Sequence, residues 1–195
     1  MLAGALRAYA NRWGVAVGDR VAVFTNNEDG LRTVSDLKAK GLDVAVIDAR
    51  KGDEVIDSAG RLGLKSITVR RGSGRTETLN VSALGVSGGW NPNVNITSHH
   101  RSRPEWRDDI AAFVPGTGGP AGLTAAGAAN GALSTHGALA TGQAQAIAVL
   151  AELGMAAKAG DLPQAEDAPI AISPLWYVHE GKGRAWIDQQ NDVTV

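Results

Sequence analysis

Residues 123–150 read LTAAGAANGALSTHGALATGQAQAIAVL. A short apolar run leads into Gly127, Ala128, Ala129, Asn130 and Gly131, and a long alanine-rich segment headed by Ser134 and Thr135 follows. That order predicts a strand over 123–126, a tight turn of small residues, and a helix that stops at Gly154 or Gly160. Small residues let a ligand approach the backbone, and the amides and dipole at a helix start favour an anion such as a pyrophosphate. Close packing of an alanine-rich helix on a sheet asks for the same residues without a ligand, so the turn alone leaves both readings open.

Upstream, strand, turn and helix recur. Residues 2–13 put Leu2, Ala5, Leu6, Tyr9 and Ala10 on one face of a helix that Gly14 ends. Residues 21–25 (VAVFT) are an almost continuous apolar strand of the kind buried on both faces in a parallel sheet. A turn at 26–30, a helix over 31–40 with Gly41 just past its end, and a second apolar strand over 44–47 finishing at Asp48 complete a βαβ unit. An acidic residue at that strand end is the outline of a dinucleotide-binding half. The glycine fingerprint is missing, however. Its place is held by Thr25, Asn26, Asn27, Glu28, Asp29 and Gly30, and only the last glycine remains. Asparagine tolerates the left-handed backbone of a tight turn, but its side chain fills the space of a pyrophosphate, which Glu28 and Asp29 also repel. The unit reads as a dinucleotide fold without its ligand, and Asp48 as a strand-end or capping residue.

Residues 55–58, 64–70 and 78–86 are short apolar or alternating runs separated by Ala59-Gly60 and Gly72-Ser73-Gly74, which predicts an antiparallel meander. Residues 88–93 (GGWNPN) then break the chain. His99, His100 and Arg101 invite a metal or catalytic reading. Neighbours on an extended chain point to opposite sides and a metal site needs about three protein ligands, so a structural or interface role is expected instead. A short helix is predicted over 104–113, with Trp106 and Ile110 on one face, and a loop over 115–120. Residues 161–169 read as a surface linker, and 174–178 and 184–188 as two strands around a Glu180-Gly181-Lys182-Gly183 turn. The apolar, β-branched end leads us to expect that more protein follows.

A chain of 195 residues can bury a real core in one domain or two small ones. The net charge is −1 with both signs interspersed, which leaves no basic stripe for nucleic acid and no support for membrane-surface binding. Cysteine is absent, which excludes disulfides, thiolate metal sites, cysteine nucleophiles and dithiol redox pairs. Redox chemistry would therefore belong to a bound cofactor. Without an apolar leader or a run of bilayer length, a cytoplasmic location is expected.

Four stretches, RVAVFTNNEDG, VSGGWNPNVNITSHHR, AAGAANG with its following helix, and WIDQQNDVTV, together resemble an internal piece of the alpha subunit of heterotetrameric sarcosine oxidase. The second is the most specific, since a nucleotide fold does not by itself require Gly-Gly-Trp-Asn-Pro-Asn before His-His-Arg. The resemblance implies an α/β fold of the FAD/NAD(P)-binding, disulfide-reductase-like class, with one nucleotide domain inserted into another. It divides the chain into an inserted NAD(P)-type βαβ domain with meander (1–98), the C-terminal half of an FAD/NAD(P)-binding domain (99–160), and a linker with the start of a following domain (161–195). In that family the alpha subunit holds NAD, a partner beta subunit carries the flavins (FAD and FMN), and a remote C-terminal part handles tetrahydrofolate. Carried onto this sequence, NAD contacts fall on Ala128, Leu133 and Thr135, with Gly127 as a backbone neighbour. The N-terminal fingerprint and the folate domain are absent, so part of a NAD site and no folate site are expected. No residue is nominated as acid, base or nucleophile. Two other readings stay open: a scaffold that binds no nucleotide, and a thiol-free NADH or ferredoxin reductase.

Overall fold

The computed structural model describes residues 1–99, 102–168, 171–188, 191 and 193–194. The backbone packs as two compact units, Met1–Gly88 with Ser173–Val195, and Gly89–Ile172.

In the first unit, helix α1 (Ala3–Trp13) precedes strand β1 (Arg20–Thr25), helix α2 (Glu28–Ala39) and strand β2 (Asp43–Asp48). Four more strands follow: β3 (Glu54–Ala59), β4 (Ser66–Arg70), β5 (Thr76–Asn80) and β6 (Ala83–Ser87). A parallel sheet has the order β2-β1-β6, with Val21 opposite Val44 on one side and Ala83 on the other. The apolar run of β1 is continuous because both its faces are covered. Val21 and Val23 pack with Ala3, Leu6 and Ala10 of α1 and Val34 and Leu37 of α2, whereas Ala22 packs with Ile67 and Val69 of the antiparallel meander β3-β4-β5 and with Val81 just after it. Three layers result, and the mixed α/β class with a parallel sheet and a meander agrees with the sequence reading.

Local chemistry sets the boundaries. Gly14 stops α1 at φ +64. Asn27 opens α2 as its N-cap at φ −151, its side chain accepting from the Gly30 amide at 3.1 Å. Its backbone is therefore extended, not left-handed as the sequence suggested, because capping requires the extended form. The apolar run over 78–86 divides. The amide of Val81 donates to Lys65 O and that of Ser82 to Arg20 O, which hands the chain from the meander to the parallel sheet.

The second unit contains a hairpin of β7 (Glu105–Arg107) and β8 (Ala112–Val114) and the long helix α3 (Thr135–Glu152). The hairpin replaces the short helix expected over 104–113. Trp106 and Phe113 face each other across it edge-to-face at 5.1 Å, a pairing that a strand rewards. Asp108 and Asp109 turn the chain by accepting from the Trp106 indole and the Arg107 guanidinium. Residues 123–126 form no strand, since no neighbouring strand of this unit pairs with them. Near the C-terminus, β9 (Trp186–Asp188) pairs with β10 (Val193–Thr194), and residues 174–178 are not a strand.

Candidate functional site

Gly127–Asn130 forms a single 3-10 turn before α3. Gly127 at φ +62 and Gly131 at φ +79 are both left-handed, which explains a residue without Cβ at each end. The Gly127 amide donates to Thr141 Oγ1 at 3.0 Å and Ala132 N to Gly127 O at 3.0 Å, so the turn is tied to the helix it introduces. Of the four residues nominated from the resemblance, Ala128 and Thr135 are exposed and Gly127 and Leu133 half-buried. Leu133 anchors the junction on Ile110, Ala112 and Val114.

The start of α3 differs from a bare anion cradle. Ser134 is the N-cap, its Oγ accepting from Gly137 N at 2.9 Å, while Ala138 N donates to Ser134 O and His136 N to Glu166 O, each at 3.0 Å. The Ser134 hydroxyl donates to Asp167 at 2.7 Å. A carboxylate of the same chain thus stands near the positive end of the helix dipole. Residues 166 and 167 were read from sequence only as part of a linker; their acidity downstream of a serine cap was the available signal. Beside the turn lies a cavity of about 280 Å³ lined by Thr97, Gly116, Thr124, Asn130 and Gln145 among others. Thr124 donates to Gln145 Oε1 at 2.6 Å, which leaves the Gln145 amide nitrogen as donor. Its lining contains no ionisable side chain, so it suits hydroxyl and amide groups better than phosphate.

The βαβ crevice of the first unit is occupied by the chain itself. Arg50 donates to Asp48 through Nε at 3.0 Å and a terminal nitrogen at 2.8 Å, and to Glu28 at 2.5 Å. These hydrogen bonds hold the nearly buried Asp48 carboxyl below the usual carboxylate range, against the opposing effect of burial, and the two acids hold the Arg50 guanidinium above its usual range. Asp48 also accepts from Arg50 N and so caps a 3-10 turn, as a strand-end residue should.

His99 sits in a turn, and the sequence reading of His100 and Arg101 lies outside the described residues. Among the described residues no group of three or more His, Cys, Asp or Glu could hold a metal ion, and no helix is long and apolar enough to cross a membrane.

No family model matches the sequence. The chain is 35% identical to "Sarcosine oxidase subunit alpha" of Rhizobium meliloti (strain 1021) over 99% of its own length and 21% of that subunit's. It is also 35% identical to the subunit of the same name from Corynebacterium sp. (strain U-96), over 69% of this chain and 16% of that one. In fold it is similar to the L-proline dehydrogenase from P. horikoshii, with a TM-score of 0.59 and 21% identity over 77% of this chain and 29% of that chain. Nearly the whole length of the chain is thus similar to sarcosine oxidase alpha subunits, of whose Rhizobium member it spans 21%.

Proposed function

We propose that this chain is a nucleotide-shaping part of a sarcosine oxidase-type oxidoreductase, forming one side of a NAD site around Gly127, Ala128, Leu133 and Thr135. In the assembled enzyme it works beside a flavin-carrying beta subunit and further subunits. The observation that carries this reading is the exposure of Ala128 and Thr135 on a left-handed glycine turn next to a neutral polar cavity, in a chain 35% identical to that family. These residues fit the nucleoside part of a dinucleotide. The Gln145 amide, Asn130 and Thr97 offer hydrogen bonds to sugar hydroxyls or a carboxamide, and Leu133 holds the turn in place. The pyrophosphate fits less well, because Asp167 repels it and the amides of His136, Gly137 and Ala138 have acceptors of their own. Groups outside this turn therefore carry the phosphates. A bound nicotinamide supplies hydride transfer, and the protein supplies its position and surroundings.

NMR titration of the chain with NAD tests the reading. Amide shifts at Gly127, Ala128, Leu133 and Thr135 are expected, reduced by Ala128→Asp, whose carboxylate would meet the dinucleotide. Saturating NAD that leaves these four amides unmoved refutes it. For the assembled enzyme, sarcosine-dependent peroxide formation after co-expression with a flavin-bearing partner is the expected activity, whereas NADH-dependent dye reduction without it would favour a reductase.

A further inference from the structure

An open parallel sheet takes its ligand in the crevice outside the carboxyl ends of its strands, at the point where neighbouring connections diverge. Here that point lies beyond β1 and β6. We propose that this crevice is a docking site for the protein's own backbone: Asn26 and Asn27 clamp Ser87, where the chain leaves the first unit, and Ser173, where it returns, in the place a dinucleotide would take.

The geometry is reciprocal. Asn26 donates through Nδ2 to Ser173 O at 2.8 Å, and the Ser173 amide donates back to Asn26 O at 3.0 Å. Asn27 donates to Asn26 Oδ1 at 2.8 Å and to Ser87 O at 3.0 Å, while its own Oδ1 accepts from Ser87 Oγ and Gly30 N, each at 3.1 Å. Both asparagines are buried, at 5% and 2% exposure. Every donor and acceptor of the Asn27 amide is thus used, which a glycine could not do for lack of a side chain and an aspartate could not do for lack of donors. The space left over is about 110 Å³, lined by Phe24, Thr25, Val86 and Leu175. Ligand pockets run to roughly 300–1,000 Å³, so this remnant is too small for a nucleotide. Arg50 independently occupies Asp48, the acid that would face a ribose. Loss of the first two fingerprint glycines is therefore an exchange of ligand, from a dinucleotide to an extended peptide. The inference stands whether or not the second unit holds NAD.

Hydrogen exchange and limited chymotrypsin digestion of the 195-residue chain test it. Asn26→Ala removes the side-chain half of the clamp, and Ser173→Pro removes the main-chain donor without touching the core beneath α2. Each is expected to raise chymotrypsin cleavage at Trp176 and Tyr177 about tenfold, one to two hydrogen bonds' worth, with β1 and β2 amides still protected. Asn26→Ala is also expected to speed exchange of the Ser173 amide by the same factor. Saturating NAD is expected to leave Ser173 exchange unchanged. Unaltered cleavage and exchange in both variants, or release of Ser173 by NAD in the unmodified chain, overturns the proposal.

Discussion

Gly30 is the single fingerprint glycine that survives, and the structure assigns it to packing. A Cβ built there would lie 2.1 Å from Thr25 Oγ1, 2.4 Å from Thr25 Cβ and 3.1 Å from Ser87 Cβ. Carbon atoms in contact sit about 3.5–4.0 Å apart, so α2 would have to lift from the sheet by about 1 Å. Thr25 cannot swing aside cheaply. It is 2% exposed, and its hydroxyl donates to Asn27 O at 2.9 Å and accepts from Asn27 N at 3.1 Å. Overpacking of this kind costs about 1–3 kcal/mol, and breaking the hydroxyl's bonds adds about 1 kcal/mol. Helix propensity returns at most about 1 kcal/mol for Ala over Gly. The net expectation for Gly30→Ala is a loss of about 2 kcal/mol, or about 4–8 °C in Tm for a chain of this size. Gly4→Ala is the control: it is exposed in α1, and its Cβ would meet nothing within 4 Å, so a gain of about 0.5–1 kcal/mol is expected. Urea unfolding followed by circular dichroism separates the two. A midpoint for Gly30→Ala equal to or above that of the unmodified chain would refute a packing role.

Asn27→Ala removes a helix cap and leaves buried partners at Ser87, Asn26 and Gly30 without their bonds, so a loss of about 2–4 kcal/mol is expected in the same urea assay. The Asp48 carboxyl is held below its usual range by Arg50, so its contribution is complete above the ordinary carboxylate pKa and disappears as pH falls through the lowered folded value. The stability difference between the unmodified chain and Asp48→Asn should accordingly hold at neutral pH and shrink below about pH 4, as read by unfolding midpoints across that range. Ala111 is the one non-glycine at positive φ among the described residues, at +48 in the β7–β8 turn. Left-handed backbone costs an L-residue about 1–2 kcal/mol, so Ala111→Gly should stabilise the hairpin by about 1 kcal/mol after the entropy of a freer unfolded chain is counted, seen as slower exchange of the amides that bond across β7 and β8.

Where one face of an element meets one neighbour, the sequence was legible. The period of Leu6 and Ala10 in α1, the continuous apolar run of β1, and Gly14 and Gly41 as helix stops all follow from burial and backbone sterics that act locally. Asp48 as a capping residue was also within reach, since an acid at a strand end followed by Arg50 can bond its own neighbours. What could not be read depended on distant partners. Trp106 and Ile110 stand at helical spacing, yet cross-strand contact with Phe113 decides their conformation. Residues 123–126 carry a strand-like composition, but a strand exists only as a hydrogen-bonded pair. The pairing of Asn26 with Ser173 spans 147 positions, a distance at which no local pattern operates.

The candidate site also occupies the less consolidated part of the molecule, and this has a measurable consequence. Among the described residues, the second unit's hydrophobic cluster has three buried residues, Ile110, Ala112 and Val114, against nine and five in the two clusters of the first. None of the 18 residues of α3 is buried, although the helix is apolar on most of its circumference. A helix of that composition normally lies within a core, so α3 gains little from packing in this chain. Regions with few buried apolar contacts open with free energies far below the global value, and ligand-binding elements are drawn from them. Amides in the middle of α3 should therefore exchange faster than those of β1, by opening of the second unit alone. A nucleotide that binds only the closed turn at Gly127–Asn130 should slow α3 exchange and leave β1 unchanged. Equal protection of α3 and β1 without ligand would show that the two units unfold as one, and would remove this link between weak packing and the binding turn.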